Sequence, residues 1–182
     1  MKNHRDIKNR GLTFIEILIS LIIFTVAMLG FSQIFKVALD TQHRAAQEII
    51  ATNLARGLMA EIMAKNFTDP EEGETGALGP NGSETRGTFD DVDDYNGYTE
   101  SPPRTLGGLP LDGSTEGRPD YSAFRRSVSV VYCSRSEPPS PFTYTCPVAV
   151  PPLTDYKRAT VTVSCPYVID TIIDELKTKP AP

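Results

Sequence analysis

The chain has 182 residues with 18 basic and 23 acidic side chains, a formal net charge of −5. At about 150 residues per domain this is one domain with an accessory segment, which excludes a large multidomain enzyme. The acidic balance disfavours a broad nucleic-acid-binding face, and two histidines, His4 and His43, with no cluster at ligand spacing give a zinc enzyme no support.

Residues 1–11 carry Lys2, Arg5, Lys8 and Arg10 against Asp6, a local positive excess that should stay in the cytoplasm. From Leu12 to Phe35 the chain is apolar except for small polar residues, Gln33 and one acid, Glu16. The uncharged run Ile17–Phe35 is long enough to span a bilayer as a helix, which takes roughly 20 residues. A cleaved secretory signal needs a small residue where Leu29 stands in Ala27-Met28-Leu29-Gly30, so a plain signal anchor is the stronger competing reading. Neither accounts for Glu16. A carboxylate in a membrane helix costs roughly 2.5–3.5 kcal/mol near the centre, and such residues are functional by default.

The run Gly11-Leu12-Thr13-Phe14-Ile15-Glu16, after a basic leader and before an apolar span, resembles the prepilin processing motif of type IV pilins and type II secretion pseudopilins. The close likeness covers residues 5–35; Asp155-Tyr156-Lys157-Arg158 is a weaker likeness to minor pilin heads. The resemblance implies that prepilin peptidase cuts between Gly11 and Leu12, that the new N-terminal residue is methylated, and that Glu16 sets axial register between subunits. A carboxylate four residues along the helix can neutralise the new ammonium group or that of a neighbouring copy. Two departures bear on the subtype. Leu12 replaces the family's usual phenylalanine, and Gln33 stands where major pilins often have a helix-breaking proline. An unbroken helix and a minor pilin or pseudopilin are therefore expected.

Beyond Phe35, Ile50, Leu54, Leu58 and Ile62 recur every four residues, with Ala51, Ala55, Met59 and Met63 beside them and charges on other faces. This predicts an amphipathic helix whose stripe packs on a sheet. The expected layout is a leader at 1–11, a transmembrane half-helix at 12–35, an amphipathic half at 36–67, a long loop region at 68–124 and an antiparallel sheet at 125–182. Alternating β-branched residues place strands at Arg125–Tyr132 and Lys157–Ser164, with Val128, Val130, Val161 and Val163 facing the stripe. Tyr167–Ile173 reads as either an edge strand or a short helix. The acidic run at 90–96 breaks the EF-hand spacing, since Val92 falls at the first ligand position; a solvated acidic turn held by Phe89, Tyr95 and Tyr98 is preferred to a calcium loop. Arg125-Arg126 and Lys157-Arg158 read as solvated strand ends.

Of the three cysteines, Cys133 and Cys146 are the favoured pair, closing a short loop, while Cys165 is a free thiol or the true partner of one of them. Neither histidine lies where it could activate a cysteine, so a Cys-His enzyme is not expected. The sum is an α+β protein of type IV pilin-like fold, with a long N-terminal helix on a small sheet. Its expected role is that of a minor pilin, with a type II secretion pseudopilin or an adhesive or DNA-uptake pilin as alternatives. Expected partners are prepilin peptidase, other pilin subunits and the inner membrane, with the C-terminal part outside the cytoplasm. No cofactor, metal or small-molecule substrate is expected, and nucleic acid is disfavoured.

Overall fold

The computed structural model describes residues 13–70, 73, 75–136, 142–149, 154–166 and 168–180. Gly11, Leu12 and the leader lie outside the described residues, as does Tyr167 at the start of the third expected strand. The chain divides into two compact units, Met1–His43 and Arg44–Pro182. One helix, α1 (Phe14–Met63), contributes to both. No proline interrupts it, as the sequence requires of an unbroken helix.

In the first unit the helix exposes its large apolar side chains, from 41% at Leu18 to 77% at Phe14. The stretch is long and apolar enough to cross a membrane.

The second unit is a helix on a sheet. Ala51, Leu54, Ala55, Leu58, Met59 and Ile62 are buried, the stripe predicted from the four-residue repeat. The helix stops at Met63, four residues before the expected Phe67, and its last turn tightens through Lys65 N–H donating to Ile62 O at 3.1 Å. Asn66 then pairs with the acidic segment: its N–H donates to Asp90 O and its carbonyl accepts from Val92 N–H, both at 3.0 Å.

Strands β1 (Thr99–Glu100), β2 (Arg125–Arg135), β3 (Tyr144–Thr145), β4 (Tyr156–Cys165) and β5 (Val168–Thr178) form an antiparallel sheet ordered β1-β2-β4-β5, with β3 on the far end of β2. Val128 pairs directly with Val161, and both join Val130 and Val163 in the core with Leu58 and Ile62. The two-residue alternation puts these valines on one face. The third run is a strand of eleven residues and not a short helix. The region 68–124 is not all loop: it holds one turn of 3-10 helix (Asp93–Tyr95) and β1. Gly97, at φ 78°, turns the chain between them.

Candidate functional site

At the start of α1, Thr13 and Glu16 bond reciprocally. The backbone N–H and the hydroxyl of Thr13 each donate to Glu16 Oε2 at 2.9 Å, and Glu16 N–H donates to Thr13 Oγ1 at 3.4 Å. This Thr-x-x-Glu pattern is a capping box, which satisfies donors that a helix N-terminus otherwise leaves open. The acid also sits at the positive end of the helix dipole. Reading Glu16 only as a charge missed this, although Thr13-Phe14-Ile15-Glu16 spells it in the sequence.

The small hydroxyls of the span are satisfied within it. Ser20 donates to Glu16 O at 2.7 Å, Thr25 to Leu21 O at 2.6 Å and Ser32 to Met28 O at 2.8 Å. In lipid, where water cannot serve as partner, this back-bonding removes a desolvation cost.

In the second unit the ionisable groups depart from expectation. The acidic turn is not solvated: Asp91, Asp93 and Asp94 are buried. The carboxylates of Asp91 and Asp94 serve the backbone, Asp94 Oδ2 accepting from Asp90 N–H at 3.0 Å and Asp91 Oδ1 from Asp94 N–H at 3.1 Å. Burial, reinforced by the charge of Asp94, pushes Asp91 up to about 6. Glu84, Asp90 and Asp94 bring three carboxylates together. The Asn81 N–H favours the ionised form of Glu84, but burial and its acidic neighbours leave it titrating above the usual range.

Of the basic pairs, Arg125 is exposed at its strand end as expected, whereas one member of each pair is not. Arg126 and Lys157 are buried, and because β2 and β4 run antiparallel they lie at opposite ends of the ladder, Arg126 opposite Val163 and Lys157 opposite Tyr132. Lys157 Nζ donates to Phe67 O at 2.6 Å and to Asp93 Oδ2 at 2.7 Å, fixing the segment after the helix. Arg126 pairs with Glu100, which also takes Arg86 at 3.2 Å; Arg86 in turn forks onto Glu61 of α1 at 2.6 and 2.9 Å. Tyr95 and Tyr98 hydroxyls donate to Glu61 and Glu100 at 2.8 and 2.7 Å. Glu61 titrates below the usual range: burial opposes its ionisation, but the bonds from Arg86 and Tyr95 outweigh that.

Cys133 and Cys146 form a disulfide with Cα atoms 4.5 Å apart, and Cys165 is a buried thiol whose sulfur lies 3.5 Å from Gln47 Oε1.

A long N-terminal helix, apolar and exposed at its start and bearing a small antiparallel sheet on its second half, defines an α+β protein of type IV pilin-like fold, with one helix among the described residues long and apolar enough to anchor in a membrane. The model of the prokaryotic N-terminal methylation motif matches residues 7–32, and that match supports the likeness to the type IV pilins and pseudopilins. The motif implies processing by prepilin peptidase and assembly with other pilin subunits. No curated protein and no solved structure matches the chain.

Proposed function

We propose that this protein is a minor pilin, a structural or priming subunit that prepilin peptidase cuts between Gly11 and Leu12 and that joins a type IV pilus through its N-terminal helix. It resides in the inner membrane as a single-pass protein with residues 44–182 outside the cytoplasm until assembly. The observation that carries this reading is the coincidence of the methylation motif at 7–32 with a capped helix that exposes apolar side chains from Phe14 to Leu39. Such a surface is stable in lipid or against other helices and not in water. Glu16, held by Thr13, is the acid that would meet a cationic N-terminus in a filament, where a low dielectric strengthens the pairing.

N-terminal sequencing of the membrane pool tests the processing step: Leu12 or its methylated form is expected, and recovery of Met1 overturns it. Glu16→Val, expressed beside the native subunits, should insert in the membrane and fail to enter sheared filaments; normal entry overturns the assembly role. Loss of protein secretion with pili intact would assign the same subunit to a type II secretion machine.

A further inference from the structure

The turn that follows β1 is pinned from beneath by buried charge. The backbone carbonyl of Arg104 accepts from Arg86 Nη1 at 3.0 Å and from Arg126 Nη2 at 2.8 Å. The turn itself closes through Thr105 N–H to Leu109 O, Gly108 N–H to Thr105 O and Leu111 N–H to Pro103 O, each at 2.9 Å. Between it and Tyr98 lies a cavity of about 410 Å³, within the roughly 300–1,000 Å³ of small-molecule pockets.

The charge balance around this cavity is uneven. Glu61 and Glu100 offset Arg86 and Arg126, whereas Arg104, exposed at the rim, makes no salt bridge among the described residues. Asp112 lies near enough to feel its charge but makes no direct contact with it, so a guanidinium without a bonded carboxylate stands at the opening. Its Nη1 donates to Gly108 O at 3.0 Å, which orients the guanidinium while leaving donors for a bidentate carboxylate. Around it stand groups suited to a sugar ring. The Tyr98 ring, which carries the Arg86 guanidinium over it at 5.8 Å from the centroid, is fixed by its hydroxyl bond to Glu100 and by an edge contact with Phe89 at 6.0 Å between centroids. The Thr105 hydroxyl accepts from Leu109 N–H at 3.2 Å and keeps its own proton to donate, and the Thr85 hydroxyl also lines the cavity. Gly108, at φ 78°, leaves open space where a side chain would stand.

We infer that this cavity binds a single acidic sugar residue of the hexuronate class, its carboxylate on Arg104 and its ring against Tyr98.

The test is calorimetric titration of the full chain in detergent micelles with D-galacturonate and with D-galactose, read alongside amide shifts of Leu106, Gly107 and Gly108. Galacturonate should saturate the site and bind at least tenfold more tightly than galactose, with the shifts confined to that turn. Arg104→Gln should lower galacturonate affinity at least tenfold without moving the melting temperature, because the pinning contacts use the backbone carbonyl. Leu106→Glu, at a side chain 59% exposed, should weaken it by repulsion. Absence of saturable galacturonate binding, equal affinity for galactose, or full affinity in a folded Arg104→Gln protein would each overturn the inference.

Discussion

Lys177, near the end of β5, donates its Nζ to the carbonyl of Met63, the last residue of α1, at 2.7 Å and also to the carbonyl of Lys65. The final carbonyls of a helix lack partners, and the last turn of α1 has no basic residue of its own. A lysine from the edge strand therefore finishes the helix, at the cost of partial burial that lowers its pKa. Lys177→Met should lower the stability of the unit Arg44–Pro182 by about 1–3 kcal/mol, the usual cost of leaving such groups unmade. Urea denaturation of the full chain in micelles, followed by tyrosine fluorescence, checks it.

Glu100 is the acid on which two guanidiniums and the Tyr98 hydroxyl converge. Removing one member of a buried ionic set leaves uncompensated charge, so Glu100→Ala should cost about 3–5 kcal/mol. Pairing Glu100→Leu with Arg126→Met removes charge on both sides and should recover part of that loss. A double-mutant cycle on denaturation midpoints measures the coupling; strictly additive effects would show that the contact carries no energy of its own.

For Asp91 the sign follows from burial. Its folded pKa of about 6 lies above the ordinary 3.8, so the native state binds the proton more tightly than the unfolded chain does. Its favourable contribution is complete below about pH 4 and is lost as the pH rises through about 6. Glu61 acts in the opposite sense, its contribution present above the ordinary carboxylate range and lost as the medium becomes more acid. Asp91→Asn keeps an oxygen acceptor for the Asp93 and Asp94 N–H groups while abolishing the titration. The variant should therefore gain stability over the native chain at pH 7.5 relative to pH 5, read as the difference between their melting temperatures at the two values.

Periodicity made the helix stripe and the valine face legible, because burial at Leu54, Leu58 and Ile62 and at Val128, Val130, Val161 and Val163 is a property of each element taken alone. What it could not show is which charges turn inward. Asp91, Asp93 and Asp94 read as a solvated turn because acids are ordinarily exposed, yet here Asp91 and Asp94 bond backbone N–H groups and Asp93 bonds Lys157 from a strand 64 residues away. Arg126 looked like a strand end because its partners Glu100, Leu54 O and Arg104 O come from distant segments. The Thr13–Glu16 box was local and visible; the bilayer cost of the acid drew attention away from its helix-capping geometry.

Cys133 ends the part of β2 that pairs with β4, opposite Tyr156, and Cys146 follows β3, so their bond closes the hairpin-like excursion carrying Tyr144 and Phe142. Ring contacts join β3 and its approach to the neighbouring strands: Tyr144 packs edge-on to Tyr156 at 5.2 Å, and Arg135 lies over Phe142 at 4.8 Å. Closing a loop of this length is worth about 3 kcal/mol in the chain-entropy model. Cys133→Ala with Cys146→Ala should therefore lower stability by about 3 kcal/mol, with the loss of protection read at 142–146 in hydrogen exchange. Cys165→Ala, which removes one buried sulfur and no crosslink, should cost less, and thiol counting on the unfolded native chain should find one reactive cysteine. Two further thiols without reductant, or a larger loss at Cys165 than at the pair, would reassign the bond.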